Sequence, residues 1–143
     1  MAKNTADATW TGAIKEGEGR FKLGGGAAEG NFSFKSRFED GVGTNPEELI
    51  AAAHAACFSM ATAAQLGEAG IDPESVETSA QVSVKIVDGQ PTITTSALTT
   101  TVKAPGADEA KVREAADGAK AGCPVSRALA GVKDITLDLT VEV

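Results

Sequence analysis

The stretch from Asn45 to Gly67 limits what this chain can fold into more than any other. It opens on Asn45-Pro46-Glu47-Glu48, where each residue favours a helix start. The Asn45 side chain can cap free backbone N–H groups, Pro46 suits the first helical position, and Glu48 stands three residues after the cap. Glu47 and Glu48 also bring negative charge to the positive end of the helix dipole. The predicted helix runs through Leu49, Ala53, Cys57, Met60 and Ala64 and ends near Gly67 or Gly70. From Leu49 to Ala64 only His54, Ser59 and Thr62 interrupt a surface that is apolar nearly all round. Such a helix has to be covered on most sides. In a chain of 143 residues the cover is a wrapping sheet or a second copy.

The flanking sequence supplies strands. Trp10, Gly12 and Ile14 alternate with polar residues, Glu16-Gly17-Glu18-Gly19 turns the chain, and Phe21 and Leu23 resume the alternation, which predicts a hairpin over residues 8 to 23. Phe32, Phe34 and Phe38 read as another extended segment with a break near Lys35 or Ser36. After Asp72-Pro73, Val76, Thr78, Ala80, Val82, Val84 and Ile86 share one face of a long strand. Asp88-Gly89 turns it into a second strand whose face carries Ile93, Thr95, Ala97 and Thr99, with a shift to Val102. Asp108 to Lys120 reads as a helix closed by Gly122, Pro124 to Ala130 as a short helix, and Ile135, Leu137, Leu139, Val141 and Val143 as a final strand. This order predicts an α+β fold with largely antiparallel sheet, in one domain spanning residues 1–143.

Composition narrows the function. A chain of this length buries a real core without cross-links, and two cysteines are far too few for a disulfide scaffold. No apolar stretch is read as a membrane span, and Met1-Ala2-Lys3-Asn4-Thr5-Ala6-Asp7 has no signal-peptide core. A cytoplasmic protein is expected, in a compartment that keeps thiols reduced. The net charge of −7, with no basic cluster, makes nucleic acid and anionic membrane poor partners. An uncharged small substrate suits the surface better.

The candidate chemistry rests on Cys57 and Cys123. Free cysteine is often a small core hydrophobe, and that reading stays open for Cys57 among its alanines. Cys123 precedes Pro124, where the start of a helix can favour a thiolate. Two cysteines and one histidine give three ligands at most, whereas structural zinc normally takes four. Cys57 and His54 lie three apart on one helix and leave a Cys–His hydrolase as an alternative, although such dyads usually draw on different elements with a third orienting group. The remaining option is redox: a thiolate that attacks an O–O bond becomes a sulfenic acid, and a second cysteine condenses with it.

Gly43-Thr44-Asn45-Pro46-Glu47-Glu48-Leu49-Ile50, then Ala52-Ala53-His54-Ala55-Ala56-Cys57-Phe58-Ser59-Met60, and Ala121-Gly122-Cys123-Pro124-Val125-Ser126 together resemble the OsmC/Ohr family. The likeness is to the osmotically inducible protein C branch rather than the organic hydroperoxide resistance branch. It extends over essentially the whole chain, including Trp10 and Ser36-Arg37-Phe38-Glu39. The resemblance implies an OsmC-like fold, with sheets around a long buried central helix in an intertwined homodimer that has two active sites at the subunit interface. It also implies a thiol-dependent peroxidase for organic hydroperoxides, recycled by an external dithiol and needing no metal, flavin or haem. By position, Cys57 resembles the peroxidatic cysteine, Cys123 the resolving one, Arg37 the arginine that holds the thiolate, and Glu47 the acid that holds the arginine. Arg20, in the first hairpin, is the reserve for Arg37.

Helix arithmetic adds an expectation of its own. Glu47 and Cys57 are ten residues apart, about 15 Å along a helix axis, too far for one pair of side chains to meet. If Glu47 serves Cys57, it serves the Cys57 of a second copy, across a two-fold axis near Ala51, Ala52 and Ala53. Phe38, Phe58 and Met60 are expected to face the alkyl part of the substrate. A non-enzymatic osmotic-stress binding or structural protein with two buried cysteines is the other alternative.

Overall fold

A computed structural model describes residues 2–143; Met1, at the head of the polar N-terminal run, lies outside them. The described elements are β1 (Ala6–Thr11), β2 (Glu18–Leu23), β3 (Glu29–Phe32), α1 (Phe34–Phe38), α2 (Pro46–Glu68), β4 (Ser75–Val87), β5 (Gln90–Lys103), α3 (Glu109–Gly122), α4 (Pro124–Ala128) and β6 (Asp134–Glu142). They fall into two compact units, one reaching to Leu49 and the other Ile50–Val143.

The first unit carries the antiparallel sheet β1-β2-β3. Gly19 pairs with Trp10 on one side and Phe32 on the other, and the two rings pack over it with centroids 5.9 Å apart. A Cβ at Gly19 would lie 2.3 Å from the Phe32 ring, so this position admits only glycine without a shift. The extended segment expected through Phe34 and Phe38 is instead the helix α1. Ser33 caps it, with the Ser36 N–H donating to Ser33 Oγ at 3.0 Å and the Ser33 N–H donating to Ser36 Oγ at 2.8 Å. This reciprocal cap satisfies two backbone donors and overrides the strand preference of the aromatics. Phe34 and Phe38 then meet at i,i+4 spacing, 5.1 Å between centroids. The predicted cap of α2 is present: the Glu48 N–H donates to Asn45 Oδ1 at 2.8 Å.

The second unit carries the sheet β4-β5-β6. β4 and β5 form the predicted hairpin, with φ of 51° at Asp88 and 78° at Gly89, the two positive values a type I′ turn requires. β6 pairs parallel to β5, the exception in a largely antiparallel fold. The crossover it needs is supplied by α3 and α4. The expected strand faces need two corrections. On β4, Val76, Thr78, Ala80, Val82 and Val84 keep the expected face, but Ile86 is exposed; the register shift opposite Ser83 and Val84 leaves Thr94 of β5 as the extra residue of a bulge. On β5 the buried face is Ser96, Leu98, Thr100 and Val102, not Thr95, Ala97 and Thr99. Leu98 and Val102 bury the most apolar surface and set the phase.

Two clusters fill this unit. Phe58, Leu98, Ala116, Ala119 and Cys123 form one, and Leu66, Val102, Ala104, Val112 and Ala115 the other. Phe58 is fully buried, so it is a core residue rather than the substrate contact expected of it; Phe38 and Met60 are exposed. Helix α2 buries His54, Phe58, Thr62 and Leu66 and leaves Ala52, Ala53, Ala56 and Met60 open. The helix expected to be covered on most sides is covered on one within a single chain. By length and composition α2 also reaches the range of a membrane span, with mean hydropathy 1.4, contrary to the expectation that no stretch would. Its alanines raise the mean; its buried face packs on the protein's own α3 and β5.

Candidate active site

Two pairs of predicted site residues come together, one pair in each unit. In the first, α1 and the first turn of α2 hold Arg37 against Glu47. Arg37 Nε lies 3.2 Å from both carboxylate oxygens and Nη2 lies 2.8 Å from Oε1. Glu47 is 6% exposed, so its charge is desolvated and the forked arginine pairing is what makes that burial tolerable. The Arg37 guanidinium also lies over the Phe38 ring, 5.1 Å from its centroid. Arg20, the reserve, is an exposed residue in the middle of β2.

In the second unit, Cys57 on α2 and Cys123 at the α3–α4 junction are free thiols with their sulfurs 3.0 Å apart. A disulfide bond is about 2.05 Å long, so a displacement of about an ångström would join them. Cys57 is half-buried and Cys123 fully buried. The junction follows from the local sequence: α3 ends as the Cys123 N–H donates to the Ala119 carbonyl at 2.8 Å, and Pro124, which has no N–H to lose, starts α4.

Hydrogen bonding distinguishes the two sulfurs. Burial pushes the Cys123 thiol up, but hydrogen bonds from the Cys57 thiol, from the backbone N–H and hydroxyl of Ser126 and from the Val125 N–H outweigh it, and the net direction is down. Burial pushes the Cys57 thiol up, and its hydrogen bond to Cys123 pushes it the same way, with only the Val125 N–H opposing. The S–H can point either way across the contact. When one of the two thiols ionises, the donors gathered at Cys123 favour the charge there and leave the remaining S–H on Cys57. Within this unit, then, the thiolate is better held at Cys123, and Cys57 needs an added cation to become the nucleophile.

His54 is fully buried, and both its ring nitrogens engage serines: Nδ1 lies 2.7 Å from Ser96 Oγ and Nε2 lies 2.9 Å from Ser126 Oγ. No ring nitrogen is left for Cys57, which removes the geometry a Cys–His hydrolase would need. Burial pushes the imidazole below its ordinary value, so it is neutral near pH 7. Sequence reasoning assigned no role to Ser96 or Ser126. Ser126 stands three residues after Cys123, and Ser96 shares the parity of Leu98 and Val102, which were the signals available.

An α+β chain whose long helix brings a reduced cysteine to a second cysteine at a helix junction belongs to a recognisable class of dithiol proteins. The chain is a member of the OsmC-like protein family, whose sequence model matches residues 38–138. It is 48% identical over 132 residues to the Peroxiredoxin OsmC of Escherichia coli K12, covering 92% of this chain and 91% of that one. It is 36% identical over 101 residues to the organic hydroperoxide resistance protein OhrB of Bacillus subtilis, covering 71% and 73%. The crystal structure of OhrB superposes with a TM-score of 0.75 at 29% identity, covering 95% of this chain and 98% of that one.

Proposed function

We propose that this protein is a thiol-dependent peroxidase that reduces organic hydroperoxides to alcohols in oxidative and osmotic stress defence. The observation that carries the reading is the reduced Cys57–Cys123 pair, 3.0 Å apart, with the half-buried sulfur on the long helix and the buried one at a helix junction. The names of the relatives, a peroxiredoxin and an organic hydroperoxide resistance protein, point the same way. In the cycle the Cys57 thiolate attacks the distal oxygen of the hydroperoxide. The O–O bond breaks, the alcohol leaves, and Cys57 becomes a sulfenic acid. Cys123 displaces hydroxide, which leaves as water, and an external dithiol reduces the resulting disulfide by exchange.

The cation Cys57 needs is assigned to Arg37, fixed by Glu47. We assign both to a second copy of the chain, in a homodimer with shared active sites. The spacing supports this: Glu47 and Cys57 lie in the one helix α2, about 15 Å apart along its axis. The bare alanine face of α2 gives the second copy a surface on which helices can approach closely. Residues 1–143 act as one domain in this reading, and a cycle closed by dithiol exchange fits the reducing cytoplasm.

Steady-state turnover with an alkyl hydroperoxide and with hydrogen peroxide, in the presence of a dithiol, tests the reading. Turnover is expected to be faster with the alkyl substrate and absent in Cys57→Ser. In Cys123→Ser one oxidation per chain is expected, followed by a stall at the sulfenic acid. Full activity in Cys57→Ser overturns the assignment.

A further inference from the structure

The thiol pair is one of two contacts between the same two segments. His54 stands three residues before Cys57 on α2, and Ser126 stands three residues after Cys123 in α4. Nε2 of His54 lies 2.9 Å from Ser126 Oγ, beside the 3.0 Å contact of the two sulfurs. Residue 54 meets 126 and residue 57 meets 123, so the Cys123–Ser126 segment runs opposite in direction to α2. Residues three apart are neighbours on a helix face, which sets the two contacts side by side as rungs. The polar rung has a third anchor: Nδ1 of His54 lies 2.7 Å from Ser96 Oγ on β5. All three side chains are buried. With both nitrogens engaged, the ring has one orientation and ties α2, β5 and α4 together.

α4 needs such a tie. It has five residues, too few to persist on helix propensity, and Pro124, Arg127 and Ala128 are exposed. Its attachments are the Cys123 N–H, which donates to the Ala119 carbonyl at the end of α3, the packing of Val125 on the Phe58 cluster, and Ser126. Among the described residues no other α4 side chain hydrogen-bonds to another element. Three buried polar side chains cost desolvation that an apolar filling would avoid. What they supply in return is a fixed direction and length, which an apolar contact does not give.

We propose that His54 and Ser126 are positioning residues that clamp α4 to α2 and so hold Cys123 within bonding reach of Cys57 through every stage of the thiol–disulfide cycle; for its place in that cycle the inference rests on the peroxidase reading. The sulfur rung is remade at each turn. It is a contact of 3.0 Å in the dithiol and a bond of about 2.05 Å in the disulfide. It is absent while Cys57 carries the oxygen of a sulfenic acid or is joined to the external dithiol. The His54–Ser126 rung contains no bond that the chemistry makes or breaks, so it keeps its length while its neighbour opens and closes. In the closing step the S–S bond forms, the S–O bond breaks, and thiol and sulfenic acid give disulfide and water. The rate of that step and the stability of its product both follow the effective concentration of one sulfur at the other, and a misplacement of about 1 Å costs as much as a hundredfold. Without the clamp the five-residue helix drifts, and Cys123 is presented less often.

The first arm of the test uses no peroxide. The intact chain is equilibrated with reduced and oxidised dithiothreitol, and the fraction of Cys57–Cys123 disulfide is read by mass spectrometry after alkylation. In Ser126→Ala the equilibrium constant for disulfide formation is expected to fall about tenfold, which raises the reduction potential by about 30 mV. Ser126→Thr keeps the hydroxyl and is expected to restore the parent value. Ser96→Ala releases the ring at its other nitrogen and shifts the potential the same way, so it stands in should Ser126→Ala not fold. Val112→Ala, a cavity in the core cluster around Leu66 and Val102, lowers stability but should leave the potential unmoved. In the second arm one equivalent of an alkyl hydroperoxide is added, and sulfenic acid formation and decay are followed by rapid quench. Formation is expected to stay within about twofold of the parent while decay slows about tenfold. A parent-like potential and parent-like decay in the serine variants overturn the clamp. An equal shift in Val112→Ala overturns it too, because the effect would then be one of general loosening. A raised potential in Ser126→Ala, with a parent inert to hydroperoxide, upholds the clamp and overturns the peroxidase instead.

Discussion

His54 shows at the scale of one residue how burial becomes a pH dependence. Its imidazole is fully buried between two serine hydroxyls, and burial holds its pKa below 6.5. In the unfolded chain a histidine titrates near 6.5. Between the lowered folded value and 6.5 the unfolded state binds more protons, so stability rises with pH across that window and is lost as pH falls through it. The thermal midpoint is therefore expected to drop between pH 7 and pH 5 more steeply for the parent than for His54→Gln, read by circular dichroism; equal slopes would show that His54 does not titrate on unfolding. The two thiols follow the same logic with the opposite outcome for each. Cys123, fully buried, is pulled toward the thiolate by donors, and Cys57, less buried, is pushed away from it. Hydrogen bonds rather than exposure decide which sulfur holds the charge.

At the scale of elements, short capped segments position the charged half of the site. α1 has five residues, too few to persist on helix propensity alone, and it is held by the Ser33–Ser36 reciprocal cap and by the Ser36 hydroxyl donating to the Thr44 carbonyl at 2.7 Å. Arg37 sits in the last turn of this helix, so the cap sets where its fork points. Ser33→Ala is expected to cost about 1 kcal/mol, seen as a lower urea midpoint at unchanged slope, and to lower peroxidase kcat by loosening Arg37. A loss of stability with intact kcat would separate the cap from the site. The sequence made α2 legible because cap, proline and acids all agree there. It hid α1 because Phe32, Phe34 and Phe38 carry a strand pattern and the serine box between them is a weaker local signal. It misplaced the β5 face because Thr95, Ala97 and Thr99 alternate as well as Ser96, Leu98 and Thr100 do.

At the scale of the whole molecule, the open face of α2 is the feature that a single chain leaves unexplained. Ala52, Ala53, Ala56 and Met60 line it, with Met60 75% exposed. A mixing experiment examines the proposed shared sites without any structure. Cys57→Ser lacks the nucleophile and Glu47→Gln lacks the acid that holds Arg37, so each is expected to be inactive or slow alone. If Glu47 serves the partner's Cys57, co-refolded mixtures contain heterodimers with one intact site, and activity should rise to a substantial fraction of the parent. If Glu47 serves its own chain, no heterodimer has an intact site and the mixture stays at the mean of the two variants.

What the sequence determined by itself was the set of elements with strong local signals: the α2 start, the Asp88-Gly89 hairpin, the Pro124 helix start and the alternating final strand. Each rests on backbone rules that act over a few residues. The family motifs also named Cys57, Cys123, Arg37 and Glu47. Only the tertiary structure brought residues 66 apart in sequence to a 3.0 Å contact and paired β6 parallel to β5. It alone chose which face of β5 goes inside and joined His54 to Ser96 and Ser126, 42 and 72 residues away. These outcomes depend on which distant surfaces exclude water from one another, and no local pattern carries that information.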